Sequence, residues 1–333
     1  MSTSGLNDRI HAGCSHMRSR AHQLSQRAST TIASRPLTRT RRIADLLQTR
    51  VRRWVLPWAG HRGPGTFSDA YCHELPGPET AVALFEGQWS SVLPPPLHEL
   101  SGGSATLFED PRIQWGAEQF GGVAGLRVIE FGPLEAGHTY MLDRLGAADI
   151  TAIEANRHAF LRCLVVKELL SIPSAHVLCG DFMAYLRQAV RSGAHWDLCL
   201  AVGVLYHQQD PVELLELATT VSDRLLLWTH YYDAEVIARR SDAAARFPSA
   251  REAERAGFIH TLYRHEYGPA LGWGGFCGGP ASWASWMARD DLFGALDHFG
   301  FDVVGVTDDD PNHPNGPALS IAARRRSRTR RQD

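Results

Sequence analysis

Between residues 126 and 229, short apolar runs alternate with longer stretches whose apolar positions recur at helical spacing. The runs at 126–131, 149–154, 175–180, 196–202 and 223–229 have the length of strands buried on both faces. The stretches between them, near 138–146, 157–170, 183–191 and 211–220, read as helices. Such alternation implies a parallel sheet with helices on both faces. The pattern resumes at 289–299, a helix stopped by Gly300, and closes with strands at about 302–307 and 317–323, an antiparallel pair at the sheet edge. About 60 residues separate the fifth strand from that helix, far more than an ordinary connection, so about 230–288 form an insertion. Upstream, 66–125 carry Pro94-Pro95-Pro96 and several glycines, which predicts loops and short helices leading into the first strand.

The chemistry gathers where these strands end. The first runs into Glu130-Phe131-Gly132-Pro133-Leu134-Glu135-Ala136-Gly137-His138. Glycines at 132 and 137 allow a tight turn and a close approach of backbone to a ligand, and the helix start that follows has free amides; an ordinary strand-to-helix turn has the same look. The second strand ends in Glu154, placed to take both hydroxyls of a ribose. The third is followed by Asp181-Phe182, an acid that can accept from an adenine amino group beside a ring that can pack on the base. The fourth passes through Val202 into Gly203-Val204-Leu205-Tyr206-His207. Four consecutive strand ends therefore present cofactor-type residues on one edge of the sheet, where ligands bind in open α/β folds.

Over about 105–323 the chain resembles the class I S-adenosylmethionine-dependent methyltransferases in these four strand ends and their order. The resemblance implies a three-layer Rossmann-like α/β fold, with a mostly parallel seven-stranded sheet and an antiparallel edge, and S-adenosyl-L-methionine as cofactor. It maps the family's glycine motif to Glu130, Gly132 and Gly137, its ribose acid to Glu154, its adenine pair to Asp181 and Phe182, and its fourth motif to 201–207, Val202 included. The segment 202–215 is also similar to the corresponding piece of the tRNA wobble-uridine carboxymethyltransferases. One departure stands out. The family pattern is acid-x-Gly-x-Gly-x-Gly, whereas Leu134 occupies the middle glycine position and the last glycine comes one residue late, which implies a different loop path with Glu135 and His138 open to cofactor contact.

Methyl transfer is an in-line displacement that needs a positioned acceptor and, for some acceptors, a base. Candidates follow strands four and five. His207 suits a general base, its ordinary pKa being near neutral, or a hydrogen-bonding residue in the turn before the Asp210-Pro211 helix start. His230 and Tyr231 are expected to project toward the insertion as acceptor-binding groups, or to be hydrogen-bonded polar residues of the core. The insertion holds Tyr263-Arg264-His265-Glu266-Tyr267 and a glycine-rich, tryptophan-rich run from Gly272 to Trp286. These suit a cover over a flat or apolar acceptor, or a fixed loop whose tryptophans fill the core. The segment 308–317 crowds Asp and His, but its Pro, Asn and Gly fit a hairpin turn, and no second ligand cluster has recognisable spacing, so no metal is expected.

Charge divides the rest. Residues 1–65 hold 12 arginines against 2 aspartates and 324–333 hold 6 against 1, leaving 66–323 with 16 basic and 33 acidic residues, about −17. So acidic a body is a poor match for a phosphate backbone, which points to a small-molecule acceptor, a natural product or a sugar-linked metabolite. The arginine-rich ends read as solvated extensions or as a nucleic-acid contact, with a basic amphipathic helix possible at 41–54 and a transit-peptide-like composition over 9–53. No apolar run is long enough to span a membrane. The six cysteines form no Cys-x-x-Cys pair, and reduced thiols in a cytoplasmic protein are expected, three of them in core elements. The alternatives to a small-molecule methyltransferase are a tRNA base-modifying methyltransferase, a nicotinamide-dependent oxidoreductase and an inactive binding subunit of the same fold. The organisation expected is an extension over 1–65, a cap over 66–125, a methyltransferase domain over 126–323 and a basic tail.

Overall fold

Short polar side chains set the helix starts. Asp110, Asn156, Asp181, Asp210 and Asp233 each accept a hydrogen bond from a first-turn amide, the arrangement that offsets the orphan N–H groups of a helix. Two of these caps, Asn156 and Asp181, lie two residues beyond a strand end, so they also fix where the sheet gives way to its covering layers. The computed structural model describes residues 71–100 and 102–327, and His73 onward belong to one unit. The extension over 1–65, its expected helix at 41–54 and the last residues of the basic tail lie outside the described residues.

In chain order the strands are β1 (Arg127–Phe131), β2 (Asp149–Glu154), β3 (Ala175–Cys179), β4 (Leu198–Val202), β5 (Arg224–His230), β6 (Ser249–Arg255), β7 (Phe258–Glu266), β8 (Trp283–Met287), β9 (Phe301–Asp310) and β10 (Ala318–Arg325). The helices are α1 (Pro78–Ala83), α2 (Pro111–Gln119), α3 (Gly137–Arg144), α4 (Arg157–Leu169), α5 (Phe182–Ser192), α6 (Pro211–Val221), α7 (Ala234–Ala238), α8 (Ser241–Ala244) and α9 (Arg289–His298). Seven strands form the main sheet in the order β3-β2-β1-β4-β5-β10-β9. β1 to β5 are parallel, with Glu130 beside Ala152 on one side and Leu200 on the other. The expected antiparallel edge is present with one refinement. β10 lies between β5 and β9 and pairs antiparallel with both, so only β10 runs against the rest. Its hairpin with β9 thereby returns residues 313–317 to the C-terminal end of β5.

Alternation along the strands sends side chains to two cores. Ile129, Phe131, Cys199, Leu225 and Leu227 meet Leu186 of α5, Leu215 of α6 and Leu292 of α9. Val128, Leu198, Leu200 and Leu226 meet Ile113 of α2, Leu142 of α3 and Val166 of α4, together with Trp89 and Phe108 from the upstream cap. The result is three layers. Cys163 and Cys199 are buried and free, whereas Cys179, expected in the core, is exposed at the end of β3. Among the described residues no helix is long and apolar enough to cross a membrane.

The insertion departs from expectation. It contains a second, three-stranded antiparallel sheet, β6-β7-β8. Its central strand gives no period-two hydrophobic signal because two of its buried positions, His260 and His265, are histidines beside Leu262.

Candidate active site

The loop from β1 to α3 shows what replaces its missing glycines. Gly132, Leu134 and Ala136 have φ of 62°, 56° and 61°, so every second residue is left-handed. That conformation costs a non-glycine residue roughly 1–2 kcal/mol. At 134 and 136 the backbone thus adopts a conformation that glycine would take freely, with Leu134 and Ala136 in its place. Its anchors are visible. The Gly132 N–H donates to the Ile153 carbonyl at 3.0 Å, and the Leu134 N–H donates to Glu154 Oε2 at 3.1 Å. Glu135 and His138 face the upstream cap. Glu135 is fully buried, accepts from the Ser90 and Ser91 amides at 2.8 Å each and lies 3.2 Å from Arg162 Nε. His138 Nε2 is 2.8 Å from Asp110 Oδ2, whose carboxylate also takes the Arg112 guanidinium. Burial pushes the Asp110 carboxyl up, but these bonds outweigh it and hold the group well below the usual range. Gly137 serves packing as well: a Cβ there would lie 2.7 Å from the Leu107 backbone.

Two carboxylates stand at the strand ends in low-dielectric surroundings. Glu130 is 1% exposed; its Oε2 accepts from the Thr139 hydroxyl at 2.5 Å, and its Oε1 has no hydrogen-bond partner among the described residues. Glu154 is 7% exposed and accepts from the Asn156 amide at 2.7 Å as well as from Leu134. Burial raises both carboxyls. Asp181 caps α5 through Oδ1, leaving Oδ2 free of that bond, and Phe182 stacks on Phe131 with centroids 5.0 Å apart. Val202 closes β4 opposite Trp228. A Cβ on Gly132 would come within 2.9 Å of Val204 Cγ1, so the first and fourth strand ends nearly touch.

Beyond β4 and β5 lies a cluster of rings. Tyr206 and His207 sit on a 3₁₀ turn, Leu205–His207. Tyr206 packs edge-on against His230 at 4.6 Å and Trp228 at 5.7 Å, while His230 stacks on Trp286 of β8 at 5.0 Å with 9° between planes. His230 Nδ1 lies 2.9 Å from the Gly316 carbonyl and 3.2 Å from that of Pro317. Carbonyls only accept, so Nδ1 carries the proton and Nε2 is the basic nitrogen. Burial lowers the His230 pKa to about 4, so the ring is neutral at neutral pH.

His207 and Tyr231 differ from that pattern. His207 Nδ1 is 2.7 Å from the Tyr267 hydroxyl, which donates to the Gly278 carbonyl at 3.3 Å. This chain ties the glycine-rich run to the 3₁₀ turn, and burial lowers the His207 pKa to about 3. Tyr231, expected beside His230, belongs instead to the hydrophobic core. Its hydroxyl donates to Asp309 at 3.1 Å, and burial pushes it up to about 12.

Sequence reading missed Trp228, His265, Trp286 and Arg112 as individual site residues. Arg112 lies over the Trp228 ring at 4.7 Å, brought there from the upstream cap. Trp286 and His265 were legible only as part of aromatic runs, and nothing local marks Arg112.

No protein-family model matches the sequence, and no curated protein matches it. Solved structures do. The N-terminal domain of EvdMO1, in the presence of SAH and D-fucose, is 20% identical, covers 75% of this chain and 95% of its own, and superposes with a TM-score of 0.54. The same domain with SAH bound gives 19%, the same coverage and 0.54. An S-adenosylmethionine-dependent methyltransferase from Mesorhizobium loti is 13% identical, covering 66% of this chain and 100% of its own at a TM-score of 0.44. With its β3-β2-β1-β4-β5-β10-β9 sheet and this likeness, the chain has the fold of the class I S-adenosylmethionine-dependent methyltransferases.

Proposed function

We propose that the protein is an S-adenosylmethionine-dependent methyltransferase acting on a small-molecule acceptor. The observation that carries the reading is the row of Gly132, Glu154, Asp181 and Val202 at the C-terminal ends of β1 to β4, reached by a loop that accepts left-handed backbone at Leu134 and Ala136. Such strain persists where the surrounding structure demands that backbone path, and it clusters at ligand sites. The residues fit the cofactor. Glu154 keeps lone pairs for two ribose hydroxyls after accepting from Leu134 and Asn156, Asp181 Oδ2 can accept from an adenine amino group, and Phe182 adds an apolar surface. Gly132 supplies the left-handed turn and leaves room for Val204, Gly137 lets α3 start against the cap, and the unpartnered Oε1 of Glu130 offers a buried acceptor.

S-adenosylmethionine supplies an electrophilic methyl group on a sulfonium. The chain's own residues would do the rest. His230 Nε2 takes a proton from the acceptor, its tautomer held by the Gly316 and Pro317 carbonyls. His207 positions the glycine-rich run through Tyr267, and Tyr231 lies in the core with its hydroxyl on Asp309. The insertion brings Trp286, His265 and Tyr267 against this cluster, which favours a compact acceptor over a polymer. D-fucose in the EvdMO1 crystals agrees with a sugar-linked class.

Calorimetric titration with S-adenosylmethionine, S-adenosylhomocysteine and NADH tests the reading. Micromolar binding of the first two but not the third is expected. Binding of NADH alone would replace it with the oxidoreductase reading, and tight tRNA binding that falls steeply with salt would move the acceptor to nucleic acid.

A further inference from the structure

Trp286 is held between two imidazoles, His230 at 5.0 Å and His265 at 4.8 Å. On the His265 side lies a small cavity of about 80 Å³, lined among others by Arg240, Arg246, His265, Trp286 and Asn315. Two of its lining residues are nine-tenths or more buried and carry a polar atom without a hydrogen-bond partner among the described residues: Trp286 Nε1 and His265 Nδ1. An indole N–H can only donate, so Trp286 requires an acceptor. Leaving a buried donor unmet is costly, and native proteins rarely do it.

The charge around the cavity says which acceptor. Among the described residues no Asp or Glu lines it, and two arginines, Arg240 and Arg246, do. Arg240 is committed to the His313 and Pro314 carbonyls. Arg246, exposed at the cavity's edge, has no hydrogen-bond or ion-pair partner for its side chain among the described residues, while its carbonyl accepts from the Glu266 amide at 2.8 Å, which fixes its backbone beside His265. Arg246, whose side chain is unpaired among the described residues, the Trp286 indole and the His265 imidazole thus line a space that holds about two to three waters, enough for a carboxylate and too small for a ring.

We propose that this cavity is a carboxylate-binding subsite in which the Arg246 guanidinium, the Trp286 indole N–H and the His265 imidazole bind the anionic group of a small acid. It rests on the function proposed above only in taking that acid to be the methyl acceptor, whose reactive end would then lie across Trp286, by His230. A planar, singly charged group matches one free guanidinium; a phosphate dianion would call for more uncommitted cations than the cavity has.

The test is a titration of the ¹⁵N-labelled full chain with acetate, following the Trp286 indole N–H, assigned by its loss in Trp286→Phe. The expected result is a saturable downfield shift in the millimolar range that Arg246→Gln weakens about tenfold or more. Chloride at equal ionic strength should not reproduce it. No shift, an equal shift with chloride, the same affinity in Arg246→Gln, or a response to inorganic phosphate but not acetate would each overturn the proposal. Should Trp286→Phe fail to fold, the His265 ring protons, assigned through His265→Gln, give the same readout. Neither signal requires S-adenosylmethionine, so a protein that bound no cofactor would sink the methyltransferase reading and leave this result standing.

Discussion

Glu154→Gln tests whether the strand-end acid holds a loop, a ligand, or both. In the folded chain the Glu154 carboxylate accepts from Asn156 at 2.7 Å and from Leu134 at 3.1 Å, and Leu134 is one of the two left-handed non-glycine residues of the loop. An amide of the same shape keeps one acceptor oxygen and turns an NH₂ group toward the other N–H. The loss of a charge-assisted bond and the unmet donor should lower stability by about 1–3 kcal/mol, within what a domain of this size tolerates. If the same carboxylate binds the ribose, removing its charge should weaken S-adenosylhomocysteine by a further 1–3 kcal/mol or so, roughly 5- to 150-fold in Kd. Asn156→Ala separates the two effects. It removes the cap of α4, worth about 1 kcal/mol, and leaves the carboxylate in place. Urea unfolding and calorimetry on both variants should show two destabilised proteins and one weakened binder. Affinity within about twofold of the parent in Glu154→Gln, or an equal loss in Asn156→Ala, would refute the ribose assignment.

Gly116→Ala places a Cβ 2.3 Å from Leu226 Cδ2, where α2 crosses β5, and overpacking there should cost about 1–3 kcal/mol in urea unfolding; a change below about 0.5 kcal/mol would show that the contact yields freely. Burial lowers His207 to about 3, and His230 and His265 to about 4 each, against about 6.5 in an unfolded chain. The unfolded state therefore gains protons first as pH falls, so stability should drop between about pH 6.5 and 4, opposed in part by the raised carboxyls of Glu130 and Glu154. His207→Asn, whose amide can reproduce the bond to Tyr267, should flatten that slope in melting scans, and an unaltered slope would exclude His207 as a contributor. With His230 as base, turnover should lose activity on the acid side near pH 4, and a limb at 6.5 would assign the base elsewhere. Gly278→Ala puts a Cβ 2.9 Å from His207 Nδ1 and 2.7 Å from the Phe276 ring, so limited proteolysis should cut the 272–282 run faster; unchanged cleavage would mean that the run is held by other contacts.

Much of the frame was legible before any coordinates. β2 spans the residues expected for it, and the helices of the alternating region start within a residue or so of expectation, because buried parallel strands are continuous apolar runs and Asn156, Asp181 and Asp210 mark the helix starts. Glu154 and Gly132 were readable for the same reason: their positions are fixed by where a local element ends. The second sheet was not legible, since the buried positions of its central strand, 260, 262 and 265, include two histidines and do not keep one period-two register.

What sequence alone determined was therefore the order of elements, the edge on which the cofactor-type residues lie, and the charge division between body and ends. The tertiary structure decided which side chains meet. It sent Tyr231 into the core and His230 to the ring cluster, joined Arg112 to Trp228, and turned Glu135 and His138 toward the cap. Local propensity acts within a few residues along the chain, whereas these pairings depend on which strand lies beside which, and that is settled by how two hydrophobic cores close on one twisted sheet.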